Sequence, residues 1–131
     1  MAAPGGGGPG ATRITVDRTS VAAGDDALPH ARTLDLPADT ALAAVVADLV
    51  ARHFLATIAG GRATWILTGA GRPLAVVAQQ WAEPRYLVDP TLPIGSLAAD
   101  GRGVTLLFRY WKQHDPDLVF TELAAGREPR R

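Results

Sequence analysis

The stretch LDLPADTALAAVVADL, residues 34–49, decides the fold of this chain. Residues 33–36 alternate polar with apolar, which is the period of a half-buried strand. Pro37 ends that strand because it has no backbone N–H for a sheet ladder. Asp39 or Thr40 is predicted to cap the following helix, since a side-chain oxygen there would satisfy N–H groups of the first turn.

Beyond the predicted cap, one broad helix face is apolar. The spacing of these residues follows the helical period, so this face is predicted to pack against a sheet. Gly60 and Gly61 are predicted to end the helix, because glycine readily adopts the left-handed conformation found there. The face consists of Leu42, Val45, Val46, Leu49, Val50, His53 and Phe54.

Several short apolar runs on either side of this helix are predicted to be strands. They cover residues 13–18, 32–36, 63–68, 74–78, 86–88 and 104–111, with a loop over 23–30 and one helical turn near 96–99. Residues 118–123 fit either a last short strand or the start of a helix. The order predicts an α+β fold in which one amphipathic helix packs on a mixed, mainly antiparallel sheet.

Length and composition predict one domain with short tails. We expect a disordered Gly/Pro tail over 1–12, a single α+β domain over 13–123 and a flexible C-terminal tail over 124–131. The chain has no cysteine, which excludes disulfides and thiolate chemistry. Arginine supplies twelve of the 13 basic residues, a usage typical of a GC-rich bacterial genome. The first residues lack the pattern of a signal peptide, so we expect a cytoplasmic protein.

The charge balance argues against two classes of partner. The 13 basic and 13 acidic residues cancel, which disfavours electrostatic capture of nucleic acid or of an anionic membrane. The glycine-rich segments do not continue into a phosphate-binding motif, and Ser96 does not lie in a nucleophile elbow. We therefore expect no nucleic-acid or membrane partner and no cofactor.

The junction at residues 34–49 and the stretch SLAADGRGVTLLF, residues 96–108, resemble the ubiquitin-like β-grasp. In that family the first two strands pair, a Pro/Asp/Thr cap leads into the helix, and a Leu–small–Asp–Gly stretch precedes the last strand. The resemblance covers about residues 13–111 and implies one helix across a mixed sheet. The di-glycine of conjugating members is missing from the sequence, which ends Pro129, Arg130, Arg131, so conjugation and sulfur-carrier activity are not expected.

His114 and Asp115 form the best candidate polar pair for chemistry. A turn that presents His beside carboxylates can bind a metal or move a proton. A metal site needs at least three converging ligands, whereas His30 and His53 are predicted in a loop and on the helix. Hydrogen bonds within the turn are therefore the favoured role of this pair, and we expect no metal.

Two clusters combine residue types that dominate binding energy at protein interfaces. If their strands are neighbours, the clusters form one patch at one end of the sheet. The alternative is that Trp65, Trp81 and Trp111 are core residues and that the glutamines are solvated. The first cluster is Gln79, Gln80, Trp81, Arg85 and Tyr86, and the second contains Arg109 and Trp111.

Three functional hypotheses follow from the sequence. The first is a small non-enzymatic module that binds another protein through these clusters, as an immunity or inhibitor protein of a bacterial toxin or a ubiquitin-like adaptor would. The second is an enzyme or small-molecule-binding protein whose pocket, between helix and sheet, gathers one set of polar groups. The third is a structural homo-oligomer, such as a homodimer, whose last strands pair edge to edge. The polar groups of the second hypothesis are His53, His114, Asp115, Gln79, Gln80 and Arg109.

Overall fold

The computed structural model describes residues 11–19, 31–52, 54–55, 63–98, 103–112 and 114–129. Within these ranges the chain forms six strands, two α-helices and one short 3-10 helix. The elements, in order, are β1 (Ala11–Arg18), β2 (Arg32–Pro37), α1 (Leu42–Ala51), β3 (Thr64–Gly69), β4 (Arg72–Ala78), β5 (Arg85–Tyr86), the 3-10 helix (Ile94–Leu97), β6 (Val104–Tyr110) and α2 (Pro116–Ala124).

The strands form one mixed sheet in the order β2-β1-β6-β3-β4-β5. Strands β1 and β6 run parallel, and the other neighbouring pairs are antiparallel. The predicted α+β fold, with a helix packed on a mixed sheet, is confirmed. The last strand, β6, lies inside the sheet between β1 and β3, so it offers no free edge for pairing with a second copy. A pairing of that kind would have to use β2 or β5.

The larger core lies between the sheet and α1. The buried face of α1 is Leu42, Val45, Val46 and Leu49, in agreement with the predicted spacing. Val50, predicted on the same face, is instead 41% exposed, and α1 ends at Ala51. Opposite the helix, alternate residues of the central strands are fully buried, as expected for strands with a helix on one face. They include Ile14, Val16, Leu67, Leu106 and Phe108.

Helix α1 begins without a side-chain cap, so the prediction that Asp39 or Thr40 caps it is wrong. The N–H groups of Leu42 and Ala43 instead donate to the carbonyl oxygens of Leu92, at 2.8 Å, and Pro90, at 2.9 Å. A helix start leaves N–H groups that any acceptor can satisfy. Here the loop after β5 supplies backbone carbonyls, and the cap comes from a distant segment. His53, Gly60 and Gly61 lie outside the described residues.

Gly95 brings that same loop against the start of α1. Its N–H donates to the carbonyl oxygen of Ala38 at 2.8 Å, and the neighbouring Ile94 N–H donates to Thr40 at 2.7 Å. A Cβ atom at position 95 would lie only 2.7 Å from the Cβ of Ala38. Only glycine permits this approach of two backbone segments.

A smaller core lies on the opposite face of the sheet, under α2. Asp115 caps this helix by accepting a hydrogen bond from the Asp117 N–H at 3.0 Å, and Pro116 occupies the first turn. The stretch that fitted either a strand or a helix is therefore helical, and it adds a second helix to the predicted one. The buried residues are Ile66, Val76, Trp111, Val119 and Leu123.

Neither helix in the described part of the chain combines the length and the apolar character needed to cross a membrane.

Candidate interaction surface

Four residues on the α2 side of the sheet lie in one row across β5, β4, β3 and β6. The register pairs Arg85 with Val76, Val76 with Ile66, and Ile66 with Arg109. Helix α2 packs on the two central residues. Because adjacent strands lie about 4.8 Å apart, the two arginines flank the helix at roughly 14 Å from each other.

Arg85, Trp81 and Asp117 form the exposed clamp. The Arg85 guanidinium carbon lies 4.3 Å from the centre of the Trp81 ring. The same guanidinium donates to Asp117 Oδ1 at 2.8 Å. Because Asp117 belongs to the first turn of α2, this clamp ties the start of the helix to the edge of the sheet. The Arg85 side chain is 53% exposed, and the Trp81 ring is partly exposed.

Arg109, Trp111 and Glu128 form the buried clamp. The Arg109 guanidinium carbon lies 4.8 Å from the centre of the Trp111 ring, and one guanidinium nitrogen lies 2.8 Å from Glu128 Oε2. Trp111 is 1% exposed, and the Arg109 side chain is 25% exposed. This clamp ties the segment after α2 to the centre of the sheet.

Arg85 of the first cluster and Arg109 of the second lie on the same face of the sheet, but α2 packs between them. The continuous patch expected from the sequence is therefore absent among the described residues. Trp111 belongs to the core rather than to the surface, because α2 covers it. This location removes Trp111 from the candidate contact residues and leaves Arg109 at the border between core and surface.

The other residues of the first cluster divide between surface and core. Gln79 and Gln80 are exposed in the turn after β4. Tyr86 points to the α1 side and packs against the larger core. Burial, with a smaller contribution from the negative charge of Glu83, raises the pKa of the Tyr86 phenol.

A groove of about 270 Å³ opens between the end of α1 and the turn that follows β4. Trp81 forms part of its wall, and Gln79 and Glu83 add polar groups. The groove is small and mostly apolar, which suits a single apolar side chain of a partner. Its other apolar lining residues include Val50, Leu55, Trp65 and Val77.

A second and larger cavity, the cleft, has a volume of about 770 Å³. The turn between β3 and β4, the 3-10 helix and the first half of β6 surround it. Arg109 and Glu128 of the buried clamp also line it. The cleft therefore lies beside the smaller core, whereas the groove lies on the α1 side of the sheet edge.

His114 and Asp115 have structural roles. Asp115 caps α2, and the carbonyl oxygen of His114 accepts a hydrogen bond from the Thr64 hydroxyl at 2.7 Å. Among the described residues no group of three His, Asp or Glu side chains could hold a metal ion. Gln79 lines the groove and Arg109 lines the cleft. These two polar groups therefore do not share the single pocket that the second hypothesis requires.

The clamps themselves were missed by reasoning from the sequence, although one signal for them existed. Asp115 followed by Pro116 is a typical helix start. A helix predicted at this position would have indicated that Trp111 is buried beneath it. The partners Asp117 and Glu128 lie 32 and 19 residues from their arginines, and no local pattern joins them.

Comparison of the chain with protein-family models, with curated proteins and with solved structures finds no match.

Proposed function

We propose that this chain is a small non-enzymatic module that binds another protein through the groove and the adjoining Trp81 ring. The observation that carries the proposal is a partly exposed tryptophan, stacked under Arg85, in the wall of an apolar groove. Tryptophan and arginine are the residue types in which interface binding energy concentrates.

The exposed clamp prepares Trp81 for binding. Arg85 is held by Asp117 at 2.8 Å and covers the ring at 4.3 Å, so the ring loses little further freedom when a partner docks. An apolar side chain buried in the groove would contribute roughly 1.5–3 kcal/mol. Gln79 and Gln80, exposed beside the groove, supply hydrogen-bonding groups for the polar rim of such an interface.

The ubiquitin-like adaptor is the version of this function that the fold supports best. Strand β1 pairs with β2, α1 follows β2, and a short turn containing the 3-10 helix lies before the last strand of the sheet. The order of β1, β2 and α1 agrees with the sequence resemblance, whereas the Pro/Asp/Thr cap on which it also depends is not formed. The immunity or inhibitor protein remains the second version, and a cytoplasmic location is part of both.

A selection with random peptides displayed on phage tests the proposal without a known partner. The wild-type chain serves as bait, and the Trp81→Ala variant removes peptides that bind elsewhere. We expect enriched peptides that share one apolar residue, because the groove accepts one such side chain.

Arg13→Gln provides the matched control, since Arg13 is exposed on β1 and does not line the groove. A synthetic peptide from the selection should bind the wild type and Arg13→Gln with the same Kd, and it should lose at least tenfold in affinity for Trp81→Ala. Binding that is equal for all three proteins, or a selection that enriches no peptide, would refute the proposal.

A further inference from the structure

The cleft differs from the groove in its charge. Among the described residues that line it, Arg72, Arg109 and Glu128 are the charged ones, so positive charge exceeds negative by one within that set. Leu97, Leu107 and Pro73 supply apolar surface in the same cavity. Asp17, which lies opposite Leu107 on β1, does not line the cleft, and its carboxylate accepts the Arg18 N–H at 2.8 Å.

Arg109 is already arranged to hold a carboxylate. Its guanidinium carbon lies 4.8 Å from the centre of the buried Trp111 ring, so the ring restricts the group on one side. Glu128 occupies one position on it, at 2.8 Å. A guanidinium offers five donors in a rigid fork, and little side-chain freedom remains to be lost when it binds. The ion pair of Arg109 with Glu128 thus shows that a carboxylate can bind Arg109 within the cleft.

Glu128 holds that position weakly. Its side chain is 62% exposed, and a salt bridge with so exposed a partner contributes at most about 1 kcal/mol. A carboxylate from another molecule can therefore replace it. Arg72 is exposed at the start of β4 and makes no ion pair with the described residues, so it is open to a second carboxylate.

We infer that the cleft binds an acidic segment of a partner protein, in which one carboxylate replaces Glu128 on Arg109 and a second pairs with Arg72. Glu128 is then the chain's own occupant of the site when no partner is bound. The inference concerns a different surface from the groove and does not depend on the function proposed for Trp81. The neutral net charge of the chain favours a short acidic segment over a nucleic acid, which needs a broad basic surface.

Titration with an acetylated oligoglutamate peptide, followed by NMR of the ¹⁵N-labelled chain, tests the inference. We expect shifts of the backbone amides of Arg72, Gly103 and Leu107, which belong to residues lining the cleft. Glu128→Gln should tighten binding by about two- to fivefold, because the competing carboxylate is removed. Arg72→Gln should weaken binding by a similar factor.

Arg13→Gln removes the same charge from the same face of the sheet, outside the cleft. It should leave the affinity unchanged, and an oligoglutamine peptide should not bind. An equal loss of affinity for Arg13→Gln and Arg72→Gln would overturn the inference, because it would show that the peptide is attracted to positive charge in general and does not bind in the cleft. Unchanged affinity for Glu128→Gln, absence of binding, or tighter binding of an oligothymidylate than of oligoglutamate would also overturn it.

Discussion

The exposed clamp and the buried clamp have the same composition but different surroundings. Each consists of one arginine that stacks on a tryptophan and pairs with a carboxylate, which belongs to the first turn of α2 in the exposed clamp and to the segment after α2 in the buried clamp. In the buried clamp the tryptophan is 1% exposed, whereas Trp81 of the exposed clamp keeps part of its ring in solvent. The comparison teaches that residue type alone does not separate a core residue from a contact residue.

Position in the sheet explains the difference. Trp111 follows β6, which has neighbours on both sides and α2 above it. Trp81 follows β4, beyond which the sheet, in the described part of the chain, continues only with the two residues of β5. A side chain next to a central strand is covered by the layer above it, and one at the edge of a sheet is covered on fewer sides.

The largest expected effect is on stability at the buried clamp. Trp111→Ala should lower the free energy of unfolding by about 3–5 kcal/mol, because it leaves a cavity under α2. Trp81→Ala should lower it by about 1 kcal/mol or less, as for a partly exposed residue. Urea unfolding followed by circular dichroism measures both values. Equal losses at the two positions would remove the distinction between the clamps.

A smaller effect is expected in the ion pairs. Double-mutant cycles over Arg109 with Glu128 and over Arg85 with Asp117 measure the two coupling energies. We expect about 1 kcal/mol for the first pair and about 0.3 kcal/mol for the second, because Arg109 is less exposed to solvent and salt. High salt should weaken the Arg85 pair more. A larger coupling for Arg85 with Asp117 would contradict the ranking by burial.

The smallest expected effect is on the turn that precedes Glu128. Arg127 donates hydrogen bonds to Glu122 and lowers the pKa of that carboxyl from its usual value near 4.5. Because the folded pKa is the lower one, this pair stabilises the fold above pH 4.5, and the contribution is lost as the pH falls through the folded pKa.

NMR titration of the Glu122 carboxyl carbon measures this pKa directly. Arg127→Gln should return it to the ordinary range, and it should also weaken the Arg109–Glu128 coupling because the turn is loosened. The Arg85–Asp117 coupling serves as the control and should not change. A Glu122 pKa that is the same in wild type and Arg127→Gln would show that the hydrogen bonds are not maintained in solution.

Much of the fold could be predicted because it depends on local periodicity. The buried face of α1 and the alternation along β6 follow directly from the spacing of apolar residues. The cap of α1 could not be predicted, since its acceptors Pro90 and Leu92 lie about fifty residues from the helix start. Asp39 and Thr40 have side chains suitable for a cap, but in the structure backbone carbonyl oxygens accept the hydrogen bonds of the N–H groups at the helix start.

The candidate site could be predicted only by residue type. Trp81 and Arg85 were identified because they lie close together in the sequence, and they do stack. Arg109 and Trp111 form the second predicted cluster on the same grounds, although α2 covers Trp111. Its burial depends on a helix that the sequence left undecided and on a strand order that periodicity does not determine.

The backbone cap of α1 has a consequence for the rate at which the chain folds. The N–H groups of Leu42 and Ala43 reach their acceptors only when the start of the helix meets residues 90–92, which follow β3, β4 and β5 in the chain. An isolated helix of ten residues with no side-chain cap is marginal in water. We therefore expect helix α1 to become stable together with the tertiary structure rather than as an early local nucleus, and contacts of such long sequence separation favour slow folding.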